Sequence, residues 1–96
     1  MFVVLVTYTA DLAEVDRHLP AHVEYLKAQY ENGALLMSGR RVPRVGGVLL
    51  MACAGQDELW QALRQDPFYV NGVADYQVLR FTPSMAREDL AFLKES

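Results

Sequence analysis

The chain lacks the residues and motifs that usually mark a metal or cofactor enzyme. Its 96 residues include a single cysteine, Cys53, so an intrachain disulfide is excluded. There is no CxxC, HExxH, GxGxxG, Walker A or GxSxG pattern, and hence no indication of a zinc, nucleotide or acyl-transfer site. His18 and His22 have the i, i+4 spacing of a metal-binding helix, but Pro20 lies between them and should break the helical register. We therefore expect a protein that needs no metal and no organic cofactor.

Long apolar runs are also missing. None approaches the ~20 residues that span a bilayer, and no basic segment precedes the first apolar run as in a signal peptide. We expect a cytoplasmic protein without a membrane partner. Cys53 lies within the apolar run VLLMAC, where a free cysteine usually behaves as a small buried hydrophobic residue.

Positive charge is scarce. Nine Lys and Arg residues stand against 12 Asp and Glu residues, the formal net charge is -3 and the pI is near 5.2. Because nucleic-acid binding depends on contacts from basic residues to phosphates, no nucleic-acid partner is expected. Arg40, Arg41 and Arg44 form the basic cluster of the chain. We interpret it as a solvated hairpin tip, with contact to a small anionic ligand as the alternative.

Apolar strand-like sequence, by contrast, is abundant. Hydrophobic residues make up 52% and charged residues 22%, as in ordinary globular proteins, and the length predicts one domain over residues 1–96. The runs FVVLV and VLLMAC contain no alternating polar residues, whereas a strand with one solvated face alternates. Both faces of these strands should be buried, so we expect a homodimer in which a second copy covers the second face of the sheet.

Apolar periodicity and the positions of proline and glycine predict the elements. The predicted strands are 2–8, 35–42, 45–53 and 76–82. The predicted helices are a short segment at 12–18, a main helix at 20–31, a helix at 56–65 and a C-terminal helix at 85–93. Pro20 separates the first two because proline costs ~3 kcal/mol inside a helix but is tolerated at its first position. The order βαββαβ with a terminal helix predicts an α+β ferredoxin-like sandwich, and two such sheets packed face to face form a dimeric α/β barrel.

Two residues are candidates for acid–base chemistry. His22 lies in the first turn of the predicted main helix, where the helix dipole favours a neutral imidazole that can act as a general base. Asp66 precedes Pro67 at a helix end. Taken alone, each is more often structural, the histidine bonded to a backbone carbonyl and the aspartate capping a turn. Ser38 and Gly39 interrupt the second predicted strand, which indicates a bulge, a kink or a backbone that a ligand can approach.

Four short segments occur in an order that resembles the YciI-like (YCII-related) family. They are residues 20–26 (PAHVEYL), 38–40 (SGR), 46–47 (GG) and 66–68 (DPF). The resemblance covers nearly the whole chain. The resemblance implies a dimeric α/β barrel of ferredoxin-like protomers, in agreement with the element order.

The resemblance also implies a site. It implies that His22 and Asp66 meet in a cleft as the catalytic pair. The residues that it implies for substrate binding are Ser38, Gly39, Arg40, Pro67 and Phe68. An aspartate that accepts a hydrogen bond from one imidazole nitrogen fixes the tautomer and leaves the other nitrogen as base or acid.

Three functions stay open at this point. Relatives that share the barrel include muconolactone-isomerase-like enzymes, dehydrochlorinase-like enzymes and cofactor-free monooxygenases, an analogy at the level of the fold. The first interpretation is a small cofactor-free enzyme that uses the His/Asp pair for acid–base chemistry on a small cyclic or aromatic substrate. The second is a non-catalytic, dimeric ligand-binding or regulatory module that uses the same cleft. The third is a structural dimerisation domain. The segment before Pro20 differs among family members, so ligand access to the cleft is left open.

Overall fold

Residues 1–95 are described by a computed structural model, in which helices pack on one side of a four-stranded sheet. In chain order the elements are β1 (Phe2–Tyr8), α1 (Leu12–Glu31), β2 (Leu35–Arg40), β3 (Gly46–Met51), α2 (Gln56–Leu63), α3 (Pro67–Val70), β4 (Ala74–Arg80) and a C-terminal 3-10 helix (Glu88–Leu93). This is the order βαββαβ with the short helix α3 added before the last strand. The predicted α+β ferredoxin-like fold is confirmed.

The sheet is antiparallel, and its strands lie in the order β2-β3-β1-β4. Val4 of β1 pairs with Leu49 of β3 on one side and with Val78 of β4 on the other. Because side chains alternate along a strand, these three residues share the face that meets the helices. The core lies between this face and the helices. Its largest buried side chains include Phe2, Met51, Val15, Leu59, Leu63 and Phe68.

The other face of the sheet, called the open face below, is also apolar. Its residues include Val3, Leu5, Met37, Val48, Leu50 and Leu79. Met37 and Leu79 are each 63% exposed in the single chain. Strands β1 and β3 are thus largely apolar on both faces, as their sequences indicate, whereas β4 places Asp75 and Gln77 on the open face.

The predicted break between two helices at Pro20 is wrong. Helix α1 runs without interruption from Leu12 to Glu31. Asp11 caps it, accepting a hydrogen bond from the Glu14 N–H at 3.0 Å. A proline at position 20 removes the donor for the carbonyl of Asp16. Pro20 and Asp16 are both exposed, so water can hydrate this carbonyl and the helix can continue.

The strand ends differ from the predicted ones near the β2–β3 hairpin. β2 ends at Arg40 and β3 begins at Gly46, so the connection is longer than two residues. β3 ends at Met51 because its neighbour β2 begins opposite that residue.

Cys53 therefore lies beyond the strand and is half-buried. Burial, with a smaller contribution from Glu58, raises the pKa of its thiol, so nothing here activates it as a nucleophile.

The C-terminal helix is shorter and tighter than the predicted α-helix at 85–93. It is a 3-10 helix from Glu88 to Leu93 without a side-chain cap at its N-terminus. Most of its residues are exposed, so tertiary packing does little to support a longer α-helix. No helix within residues 1–95 has both the length and the apolar character of a membrane span.

Gly46 lies where the sheet leaves no room for a side chain. A Cβ at this position would lie 1.8 Å from the carbonyl oxygen of Val6. We expect Gly46→Ala to lower the free energy of unfolding by at least about 3 kcal/mol, because a backbone oxygen inside a sheet cannot move aside. Gly39→Ala in the neighbouring strand is the matched control, since a Cβ there meets nothing within 4 Å. Urea unfolding compares the two, and equal stability of both variants would contradict the close approach.

Candidate active site

A cavity of about 190 Å³ lies between α1 and the β2–β3 side of the sheet. The polar and charged residues of its wall are Tyr8, His22, Ser38 and Arg40. The apolar part of the wall is formed mainly by Val6, Leu19, Val23, Leu26, Leu49 and Phe68. Gly39 also lines it, so five residues implied by the family resemblance border one space.

Helix α1 presents His22 to this cavity as part of an apolar stripe. Leu19, His22, Val23 and Leu26 are spaced i, i+3, i+4 and i+7, which places them on one helical face. The stripe depends on the continuity of α1 through Pro20. His22 lies near the middle of a 20-residue helix, not in its first turn. The predicted influence of the helix dipole on His22 is therefore wrong, since that effect is confined to the terminal turns.

Asp66 is a fully buried carboxylate with hydrogen bonds at both oxygens. Its Oδ1 accepts from Nδ1 of His22 at 2.8 Å and from the backbone N–H of Phe68 at 3.0 Å. Its Oδ2 accepts from the hydroxyl of Tyr76 at 2.6 Å. The bond from Phe68 is the N-cap of α3, so Asp66 also has the capping role that its sequence context suggests. The structural and the chemical interpretations of this residue are compatible.

The contact with Asp66 determines which nitrogen of His22 is available. An ionised carboxylate can only accept, so the Nδ1 that faces it carries the hydrogen. In the neutral ring the lone pair is then on Nε2. No group within residues 1–95 hydrogen bonds to Nε2. The side chain of His22 is only 12% exposed and lines the cavity, so Nε2 is the nitrogen left for a ligand.

The plane of the imidazole is held by Phe68. The two rings are parallel within 5°, with centroids 3.9 Å apart. Phe68 is itself buried and meets the ring of Tyr8 edge-on at 5.9 Å. Because Asp66 holds one edge of the imidazole and Phe68 one face, the ring has a defined orientation before any ligand binds.

Two buried phenols lie close to Asp66. Burial and then the charge of the Asp66 carboxylate raise the pKa of Tyr76 and of Tyr25. Tyr76 therefore stays a neutral donor to the carboxylate, and Tyr25 donates to the carbonyl of Ala62 at 2.6 Å. Within residues 1–95, the carboxylate of Asp66 accepts hydrogen bonds from neutral donors and from the imidazole of His22, and no lysine or arginine pairs with it. An imidazolium formed at His22 would therefore have no competing cation at this carboxylate.

The polar residues of β2 reach the cavity because of a register shift. The pairing with β3 is irregular between Leu35 and Met37, where β2 contains one extra residue. The shift turns Ser38 and Arg40 toward the helices and Met37 toward the open face. The bulge thus lies a few residues before the Ser38-Gly39 step at which it was expected. Ser38 Oγ lies 2.5 Å from the hydroxyl of Tyr30, which is in the last turn of α1.

Comparisons with known proteins identify the family. The model of the YCII-related domain matches residues 1–82, which is most of the chain. This chain belongs to the YCII-related family. No curated protein sequence matches it.

A solved structure with the same fold is 5-chloro-2-hydroxyhydroquinone dehydrochlorinase from Burkholderia phenoliruptrix AC1100, in complex with 2,5-dihydroxybenzoquinone. The identity is 19%, the TM-score is 0.72, and the match covers 86% of this chain and 95% of that chain. At this identity the likeness is one of fold.

Two of the expected site residues of this YCII-related domain do not border the cavity. Asp66 lies behind His22 and contacts the imidazole, not the cavity. The substrate-binding role implied for Pro67 stays a prediction. Pro67 is the first residue of α3, where its fixed φ and missing N–H suit a helix start, and it is absent from the cavity wall.

Sequence reasoning missed Tyr76 and the apolar wall from α1. The alternation of β4 places Tyr76 on the helix face, but the sequence does not identify the partner of its hydroxyl. The pattern Leu19, Val23, Leu26 was present in the sequence but was divided by the assumed break at Pro20.

Within residues 1–95 no three or more His, Cys, Asp or Glu side chains form a group that could hold a metal ion, and His18 contacts Glu14 at 3.3 Å.

The raised pKa of Tyr76 predicts a loss of stability at alkaline pH. The unfolded chain releases this phenolic proton near pH 10, whereas the folded chain retains it. Its contribution to stability is therefore complete below about pH 10 and falls as pH rises above that value, by up to about 1.4 kcal/mol per pH unit. Tyr76→Phe should flatten this alkaline slope of the free energy of unfolding.

Denaturant titrations at a series of pH values measure this effect. Below about pH 10, Tyr76→Phe should also lower stability by about 1–3 kcal/mol, because Oδ2 of Asp66 loses its donor. The control is the range between about pH 7 and 9, where the curves of the two proteins should run parallel. If the free energies of unfolding of wild type and Tyr76→Phe also ran parallel above pH 10, the pKa of Tyr76 would be the same in the folded and unfolded chains. That result would contradict the prediction.

Proposed function

We propose that this YCII-related domain is a small acid–base enzyme in which His22 transfers a proton on a ring compound bound in the 190 Å³ cavity. The observation that carries the proposal is the hydrogen bond from His22 Nδ1 to the buried Asp66 carboxylate at 2.8 Å, beside that cavity. Such an arrangement leaves Nε2 as a base of fixed orientation.

The proposed step is proton removal from a carbon next to a carbonyl or a ring hydroxyl. Nε2 of His22 takes the proton, and the electron pair of the broken C–H bond moves into the ring or toward the carbonyl oxygen as an enolate. The Nδ1–H stays bonded to Asp66, whose charge stabilises the imidazolium that forms. In the reverse direction the same nitrogen delivers the proton. The imidazole alone supplies the base, so the step requires neither a metal nor an organic cofactor.

The size and chemistry of the cavity support a ring-sized ligand. Its volume of about 190 Å³ slightly exceeds the ~150 Å³ of an apolar protein cavity that holds benzene, so one substituted six-membered ring fits. Val23, Leu26 and Phe68 give it apolar walls. The quinone bound to the dehydrochlorinase of the same fold is a compound of this size class, which supports the choice of test compounds.

The test begins with a screen of the wild-type protein against lactones and halogenated phenols, with 2,5-dihydroxybenzoquinone as a binding probe. Once a substrate is found, His22→Ala should lower kcat by at least about a hundredfold, the lower end of a general acid–base contribution. His22→Gln is the second variant, since its amide can still donate toward Asp66 but cannot take up a proton. Activity should survive chelators.

His18→Ala is the matched control for the histidine variants. His18 lies one turn earlier on α1, contacts Glu14 and does not line the cavity, so its loss should leave turnover unchanged. Normal turnover by His22→Ala contradicts the mechanism. Ring compounds that bind beside His22 without any turnover would favour the alternative, a ligand-binding module that uses the same cavity.

We also propose that the protein is a homodimer joined through the open face. The support comes from Val3, Leu5, Val48 and Leu50 of the central strands, which form an apolar patch with Met37 and Leu79, both 63% exposed, while Gln77 and Asp75 of β4 lie beside it. Exposed apolar patches of this kind are uncommon on monomers. A second copy presents the same patch, and such a self-complementary surface is typical of two-fold dimers.

Charges placed on the open face test the dimer. Met37→Glu and Leu79→Glu should each convert a species of about twice the 10.8 kDa chain mass into monomers, because two like charges would meet in an apolar interface. Both positions are exposed in the single chain, so the protomer should stay folded. Val42→Glu in the β2–β3 hairpin, at 94% exposure, is the control and should remain dimeric. A wild-type monomer in sedimentation at micromolar concentration would refute the proposal.

A further inference from the structure

The three arginines of the β2–β3 hairpin differ in what they contact. Arg41 donates to the hydroxyl of Thr7 at 2.9 Å, and Arg44 forms an ion pair with Asp16. Arg40 has no hydrogen bond or ion pair from its side chain to any group within residues 1–95. The cluster interpreted from the sequence as one solvated tip thus contains two arginines with structural partners and one without.

Arg40 is also the member of the cluster that lines the cavity. The register shift in β2 places it on the helix side, two residues after Ser38 and opposite Gly47. Gly47 contributes no side chain beside Arg40. Because Arg40 lines the cavity and is exposed to solvent, it stands where the cavity meets the surface.

The cavity wall has one permanently charged side chain and no acidic one. Arg40 supplies the positive charge, and the carboxylate of Asp66 is shielded behind His22 and Phe68. An anion that enters the cavity therefore meets a guanidinium and no negative side chain at the wall. A guanidinium binds a carboxylate through two parallel N–H bonds, and it also pairs with an ionised hydroxyl.

We propose that Arg40 is the specificity-determining residue of this site and binds an anionic group on the ring, either a carboxylate or an ionised ring hydroxyl. The inference rests on the proposed function, since it names the substrate class of the same cavity. A ring fixed at one end by Arg40 presents its other positions to Nε2 of His22. Arg40 also offsets the negative charge that develops on the ring when His22 removes a proton.

Benzoate and benzamide test the assignment, because they share shape and number of non-hydrogen atoms but differ in charge. Binding is followed by NMR through the ring signals of His22, which requires no turnover. Wild-type protein should bind benzoate more tightly than benzamide. Arg40→Met should weaken benzoate binding about tenfold or more, the effect of losing a hydrogen bond to a charged group, and should leave benzamide unchanged. Arg40→Lys, which keeps the charge and loses the planar fork, should fall between the two.

Arg17→Met is the matched control, since it removes the same charge from an exposed position on α1 outside the cavity wall. It should leave the affinity for both probes unchanged. Equal affinity of wild type for benzoate and benzamide, or a benzoate preference that survives in Arg40→Met, overturns the role of Arg40 while the acid–base function stands. Failure of both probes to shift the His22 signals at millimolar concentration contradicts a ring-sized site, and with it the proposed function.

Discussion

The buried charge of Asp66 is the constraint on which the arrangement of the site depends. An ionised carboxylate without solvent costs several kcal/mol unless its lone pairs are occupied by good donors. Those donors come from three different elements, His22 on α1, Phe68 at the start of α3 and Tyr76 on β4. Meeting the demand of one carboxylate therefore sets the relative positions of a helix, a turn and a strand. The fixed plane and tautomer of His22 follow from this packing, so the base is oriented in the absence of any ligand.

The opposite wall of the site depends on sheet register instead of hydrogen bonding. A strand shows alternate residues to its two faces, and one extra residue in β2 decides which set faces the helices. With it, Ser38 and Arg40 face the cavity and Met37 joins the apolar open face. Without it, a methionine would occupy the cavity wall and the arginine would lie on the open face, where a charge would disturb packing. The one extra residue in β2 thus determines which side chains face the cavity and which lie on the open face.

The parts of the fold that were predictable from sequence are those encoded by local signals. Apolar runs, Asp11 as a cap and the glycines and prolines between elements indicate the order βαββαβ, and the family resemblance supplied the distant pairing of His22 with Asp66. What could not be predicted depends on tertiary context. Pro20 stays inside a helix because the carbonyl it leaves unpaired is exposed. Tyr76 has the sequence environment of any core tyrosine, and only the fold brings its hydroxyl to Asp66.

The site and the open face make separate demands on the sheet, and β2 is where they meet. As an edge strand, β2 pairs only with β3, so its position is less constrained than that of the central strands. A partner packed on Met37, Val48 and Leu50 would press β2 against β3 from the open side. Ser38 and Arg40 are carried on the other side of the same residues, and their distance from His22 depends on how firmly β2 is held. An apolar contact on one face can therefore restrict the geometry of polar groups on the other without touching the ligand. A dimer through the open face would thus have a physical connection to the site through β2.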